Sequence, residues 1–326
     1  MKSLEAVFGP NSALVEELYD QYQNDPKSVP AHWKRYFDEL EGKPVDEAEP
    51  EKIQPSQAKQ EVSDSNRKEP AETKKPPAQK EAKKEVQAPK NASLEKIKGV
   101  ATKIVENMDD SLEVPTATSI RVLPVKMMVE DRTIINRHLL KRNEPKASFT
   151  HFIAWAIIRA LKEFPTLNSS YLYKDGNHYR VVPDSVNLGV AIDLEGKDGS
   201  RNLVVPSIKG VDKMNFKEFL HAYAELIDKA RNGNLQIEDF QGTTISITNP
   251  GTIGTVSSVP RLMKTQGAII ATGAIDYSAE YRAMSKEILN QLGVSKVMTV
   301  SSTYDHRVIQ GAESGMFLKK MDDLLS

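Results

Sequence analysis

Thr303-Tyr304-Asp305-His306-Arg307-Val308-Ile309-Gln310-Gly311-Ala312-Glu313-Ser314-Gly315 joins a strand to a helix around a single histidine. Upstream, residues 296–304 form a β-branched-rich run that reads as a strand. Downstream, a helix starts after Gly311 and carries Phe317, Met321 and Leu324. His306 therefore sits where a strand ends, among polar residues and before a turn, a position from which sheets present catalytic groups. Imidazole is the commonest proton-transfer group near neutral pH. A hydrogen-bonded structural histidine is the other reading of the same position.

A second stretch lies about fifty residues upstream: Ser246-Ile247-Thr248-Asn249-Pro250-Gly251-Thr252-Ile253-Gly254. A period of two puts Ile245 and Ile247 on one face and Ser246 and Thr248 on the other. The two hydroxyls either line a site or form the wet side of a strand.

Around these stretches, residues 92–326 read as globular. A helix is expected through Leu94, Ile97, Ala101, Ile104 and Val105, and an extended segment over 122–129. Ser148 caps a strong helix with Phe149, Phe152, Ile153, Ile157, Leu161 and Phe164 on one face. Strand-like runs follow at 179–182, 186–192 and 203–208, then a helix over 215–231 with Gly233 past its end. Further strands are expected at 244–248 and 268–274. Strands and helices interleave without regular βαβ units. The pattern fits an α/β sandwich with a mixed sheet better than a doubly wound one.

Two other regions precede this one. In residues 1–40, Val15, Leu18, Tyr19 and Tyr22 recur at helical spacing with Ser12 as N-cap, and Asp25-Pro26 closes the helix. A second helix, capped by Ser28 with Pro30 in its first turn, carries Trp33, Tyr36, Phe37 and Leu40. Two helices this short bury little alone, so they should dock on this protein or on a partner. Residues 41–91 hold few aliphatics, recurrent prolines and balanced charge, the composition of a disordered linker. Residues 92–114 read as a connecting helix.

Composition sets the limits. Against 44 Lys+Arg stand 45 Asp+Glu, a net charge of −1, which argues against general nucleic-acid binding. Hydrophobic residues at 39% and aromatics at 6% fit one core beside a disordered portion. The absence of cysteine excludes disulfides and thiolate chemistry. No run suits a membrane span and the first ten residues lack a secretory apolar region, so the cytoplasm is the expected location. No phosphate loop is present, and the histidines at 32, 138, 151, 178, 221 and 306 show no metal-ligand spacing. His151 and His221 read as surface or boundary residues of amphipathic helices. His178 reads as exposed after a hairpin turn, Asp175-Gly176-Asn177, and His138 carries no signal.

Asp305-His306-Arg307 with Gly311, together with Ser246-Ile247-Thr248-Asn249, resembles the catalytic domain of the 2-oxo-acid dehydrogenase acyltransferases (E2). The resemblance covers 115–326, including Phe164-Pro165-Thr166-Leu167-Asn168 and Glu238-Asp239-Phe240-Gln241-Gly242. Residues 7–40 resemble the N-terminal arm of 2-oxoglutarate dehydrogenase E1. Arm, linker and E2-like domain in one chain resemble the fused 2-oxoglutarate dehydrogenase/decarboxylase enzymes of actinobacterial type. Those enzymes continue into a thiamine-diphosphate E1 module. This chain stops at Ser326 inside the last helix of the E2-like domain, and is read as an N-terminal fragment or truncated product.

The resemblance implies a chloramphenicol-acetyltransferase-like mixed-sheet fold assembled as a homotrimer with sites between subunits. It implies transfer of a succinyl group between dihydrolipoamide and coenzyme A. His306 carries over as general base on the incoming thiol and Thr248 as donor to the oxyanion. Asp305 and Arg307 carry over as supports of the histidine loop. Gln310 stands where free-standing E2 proteins have Asp, and cannot make that residue's ion pair. No lipoyl-lysine motif is present: Asp212-Lys213-Met214 runs straight into a helix cap at Asn215. A lipoyl-bearing E2 would supply the lipoyl group, with dihydrolipoamide dehydrogenase as a further partner. Thiamine diphosphate and Mg would belong to the E1 module alone. The alternative readings are an architectural trimer-forming region whose transferase site has decayed, and a pure interaction module.

Overall fold

The structure is a computed structural model, and it describes residues 7–8, 11–43, 91, 93–94, 96–97, 100–195 and 201–326. The segment read as a linker lies outside the described residues except for 41–43 and Asn91.

The arm forms two helices, α1 (Ser12–Asn24) and α2 (Ala31–Leu40). Phe8, Val15, Tyr22, Trp33 and Phe37 are buried together. The caps differ from expectation. Asn11 rather than Ser12 occupies the N-cap of α1, and its side chain serves another purpose described below. Pro30 precedes α2, while the Ser28 hydroxyl donates to the carbonyl of Asp25.

Next come α3 (Val100–Ser111), β1 (Thr116–Pro124), α4 (Lys126–Lys141) and α5 (Phe149–Leu161). Leu94 and Ile97 lie before α3, exposed and outside any helix. The extended segment expected over 122–129 is half right. Pro124 ends β1, and Lys126 opens a 16-residue helix. That helix was hidden because Met127, Ile134 and Leu140 remain exposed, so no single apolar stripe marks its inner face.

A hairpin of β2 (Ser170–Lys174) and β3 (Asn177–Val181) follows, with Asp175 and Gly176 at positive φ in its turn. The next strand-like runs each break in two. Residues 186–192 become β4 (Leu188–Val190) and β5 (Ile192–Glu195), which join different sheets. Residues 203–208 become the end of β6 (Arg201–Val204) and β7 (Ser207–Ile208). Pro206 separates them, since it has no N–H to give a ladder. Helix α6 (Phe216–Arg231) starts at the expected cap, where Asn215 accepts from the Glu218 N–H at 3.0 Å. Then come β8 (Ile245–Thr248), β9 (Ala268–Thr272), α7 (Lys286–Gln291), β10 (Val297–Asp305) and α8 (Gly311–Leu325).

The main sheet runs β1-β10-β9-β8-β4-β7. β8 pairs parallel with β4 and β9, and the other pairings are antiparallel, so the sheet is mixed. Helix α8 packs on β1 and α5, and α6 packs along β5 and β7. Their apolar faces meet Ile245, Ile247, Ile270 and Val300 in one core. The opposite face of β8 carries Ser246 and Thr248.

The arm docks on this domain. Trp33 lies 6.1 Å from the Phe240 ring, and His32 bonds the Leu235 carbonyl at 3.3 Å. Asn11, 3% exposed, donates to the carbonyls of Val205 and Phe240 at 3.0 Å each. Its own carbonyl accepts from the Val205 N–H at 2.8 Å. The partner of the arm is thus the chain itself.

Candidate active site

His306 stands on the turn between β10 and α8. Its N–H donates to the Pro115 carbonyl at 3.0 Å, which fixes the backbone, and its ring is exposed 5.6 Å from that of Tyr304. The preceding Asp305 is 1% exposed. A carboxylate so buried needs compensation, and Arg307 supplies it. The Arg307 N–H, Nε and Nη2 donate to Asp305 at 3.0, 2.8 and 2.6 Å. This bonding to Asp305 raises the Arg307 pKa above its already high ordinary value. The guanidinium also covers the Tyr171 ring at 3.7 Å. Arg180 secures the far side of the turn through the Val308 carbonyl at 3.0 Å. The pair Asp305–Arg307 is therefore a clamp that leaves the imidazole facing outward.

Gln310 occupies the N-cap of α8, where its N–H donates to Glu313 at 3.1 Å. Its side chain belongs to the helix start rather than to an ion pair.

Thr248 ends β8 on the other side of the sheet's width. Behind it, Ser246 is buried and donates to Gln266 at 2.8 Å, so this face is not a wet one. The loop after Thr248 is held tightly. Asn249 donates to the Thr150 hydroxyl of α5 at 2.9 Å. A Cβ at Gly251 would meet the Gly273 carbonyl oxygen at 2.2 Å, so only glycine lets this turn lie against the end of β9.

Thr248 opens onto a cavity of about 360 Å³. Ser246, Gln266, Arg261 and Ile269 line it, together with Leu14 of α1 and Ile104 and Met108 of α3. The arm and α3 thus form part of its wall. Gln266 and Arg261 come from the irregular stretch between β8 and β9, where no periodicity marks them in the sequence.

Within one chain His306 and Thr248 do not meet. Thr248 pairs across β9 with Ala271, which pairs with Ser301 of β10, five residues short of His306. Five residues at ~3.3 Å and two strand spacings of ~4.8 Å put the two sites roughly 20 Å apart.

His178 is exposed as expected, with the Tyr171 hydroxyl on its Nδ1 at 2.7 Å. His138 lies exposed on α4, and exposed His221 meets Glu144 at 2.6 Å. His151 departs from expectation: it is 5% exposed, and burial pushes its pKa down to about 4. Among the described residues, no group of three His, Asp or Glu side chains could hold a metal ion. Nor is any helix of the described residues long and apolar enough to cross a membrane.

This architecture belongs to a known class. Residues 89–326 match the 2-oxoacid dehydrogenases acyltransferase (catalytic domain), and the chain belongs to that family. Residues 5–44 match the 2-oxoglutarate dehydrogenase N-terminus. The chain is 43% identical to a multifunctional 2-oxoglutarate metabolism enzyme of Mycolicibacterium vanbaalenii, over 98% of this chain and 28% of the relative. It is 45% identical to a 2-oxoglutarate dehydrogenase E1/E2 component of Corynebacterium glutamicum, over 98% of this chain and 27% of the relative. The chain thus spans under a third of the length of these relatives. Its structure resembles the dihydrolipoamide acetyltransferase of Azotobacter vinelandii, with TM-score 0.59 and 26% identity over 72% of this chain and 93% of that one. The catalytic mechanism of that enzyme has been studied through a serine, a histidine and an asparagine four residues after the histidine. The chain carries a 2-oxoacid dehydrogenase acyltransferase catalytic domain, with a mixed-sheet α/β fold like that of the Azotobacter E2 enzyme.

Proposed function

We propose that the chain moves a succinyl group between dihydrolipoamide and coenzyme A as the E2 part of a 2-oxoglutarate dehydrogenase, at a site built from two protomers of a homotrimer. The observation that carries this reading is the roughly 20 Å separation of His306 from Thr248. A base that projects outward at one end of the sheet, and a hydroxyl on a cavity at the other, complement each other between chains.

In this reading His306 of one protomer takes the proton from the incoming thiol. A thiol of pKa near ~8.5 is a weak nucleophile until it loses that proton. The thiolate attacks the thioester carbon. Thr248 of the neighbouring protomer donates to the oxyanion of the tetrahedral intermediate. Loss of one such donor costs about 100- to 1,000-fold in rate. The intermediate collapses, the carbon–sulfur bond of the departing thiol breaks, and that thiolate takes the proton back from the imidazolium. Asp305 and Arg307 hold the loop and do not touch the reacting atoms. Gln310 follows His306 by the same four residues as the asparagine of the Azotobacter enzyme. The lipoyl group comes from a lipoyl-bearing E2, with dihydrolipoamide dehydrogenase as a further partner. Thiamine diphosphate and Mg belong to an E1 module and take no part here. We place the arm at 1–40, the linker at 41–91, the connecting helix at 92–114 and the catalytic domain at 115–326, in the cytoplasm.

The test is acyl transfer from succinyl-CoA to dihydrolipoamide by the purified chain. His306→Ala should abolish turnover and Thr248→Ala should cut it about 100- to 1,000-fold, while the fold persists. Co-expressed in equal amounts, the two variants should restore roughly a quarter of the sites, since random assortment pairs an intact His306 with an intact Thr248 at that frequency. No recovery in mixed oligomers, or normal activity of His306→Ala, refutes the shared site. A folded oligomer with no turnover at all favours the architectural role.

A further inference from the structure

The cavity beside Thr248 is walled mostly by aliphatic side chains and carries one charged residue, Arg261. Arg261 is exposed and has no hydrogen-bond or ion-pair partner among the described residues. Its neighbour Leu262 is 1% exposed and anchors this irregular stretch in the core. The backbone of Arg261 is thereby fixed at the cavity that this residue lines. Gln266, 2% exposed, adds a second donor: its Oε1 accepts from Ser246, but its Nε2 is buried with no acceptor. Buried donors without acceptors are uncommon in native proteins and call for an explanation. A hydroxyl, an unsatisfied carboxamide N–H and an unpaired guanidinium thus converge on one apolar space.

We infer that Arg261, assisted by Gln266, binds the distal carboxylate of a dicarboxylic acyl thioester and so sets acyl-chain specificity. The inference rests on the transferase reading above and assigns the residues that select its acyl group. The chemistry is direct. An acyl chain ending in a carboxylate brings a full negative charge into aliphatic surroundings, which is costly unless that charge is paired. A guanidinium fork matches a carboxylate with two parallel N–H donors. A monocarboxylic acyl chain offers nothing to the fork and leaves it unpaired.

The experiment compares succinyl-CoA with butyryl-CoA, which has an equal number of acyl carbons and no distal charge. Binding is measured by titration calorimetry and transfer to dihydrolipoamide by kcat/KM, for wild type, Arg261→Gln and Arg261→Lys. The expected result is a wild-type preference for succinyl-CoA that falls about 10- to 100-fold in Arg261→Gln, the range for a charged hydrogen bond, with partial recovery in Arg261→Lys. An equal loss for both thioesters makes Arg261 a structural residue and overturns the inference. So does a wild type that binds the two equally. Absence of turnover with an Arg261-dependent binding preference rejects the transferase reading and leaves the carboxylate site standing.

Discussion

Replacing His151 by glutamine tests how the fold around the candidate site responds to pH. His151 lies in the first turn of α5, next to Thr150, the residue that holds Asn249 beside Thr248. Its Nδ1 accepts from the Ser148 N–H at 3.0 Å, while Nε2 is buried without a partner and the ring lies 4.2 Å from that of Tyr223. Burial lowers its pKa from 6.5 to about 4. The folded protein therefore holds this ring neutral at pH values where the unfolded chain protonates it. Stability from this group is whole above about pH 6.5 and is lost as the pH falls toward about 4. The full interval is worth about 3 kcal/mol, of which about 2 kcal/mol is gone by about pH 5. Urea unfolding at about pH 7.5 and about pH 5 should show wild type losing about 2 kcal/mol more than His151→Gln. Glutamine can still accept from Ser148, so the comparison isolates the titration. Parallel losses in the two proteins would refute the argument.

Two further outcomes are expected. Asn11→Ala removes three hydrogen bonds to the Val205 and Phe240 backbone, one buried and two partly buried, and should weaken arm docking by about 2–4 kcal/mol. Faster hydrogen exchange at the Val205 amide would report it, and an unchanged rate would count against the docking. Gly251→Ala places a Cβ against the Gly273 carbonyl and should lower transferase activity about tenfold or more through the Thr248 loop, while a retained cooperative melting transition shows the fold intact. Full activity would mean the loop adjusts freely.

The elements legible from the chain were those with a clean period or a chemical stop. The inner stripe and Asn215 cap of α6, the alternation of β8 and the long run of β10 each carry their own signal. So does the turn that holds His306. Helix α4 escaped because apolar residues face both inward and outward. Pro206 and the break at Ala191 split two apparent strands into four, which hydrophobicity alone does not mark. His151 read as a boundary residue because its burial depends on Phe219 and Tyr223 from another helix. Arg261 and Gln266 sit in irregular backbone, so only the folded chain brings them to Thr248.

Asn11 also bears on how the sheet meets solvent. β7 lies at one edge of the sheet, and beside it Val205 would present a free N–H and a free C=O. Exposed backbone at a sheet edge is a template for strand addition by another chain. The Asn11 carboxamide has the donor and acceptor of a peptide group, and it occupies both positions at Val205 as a strand one residue long would. Releasing the arm therefore uncovers a pairing edge as well as a cavity wall. An armless domain should be the more self-associating form, and solubility becomes a property the arm confers on the sheet it covers.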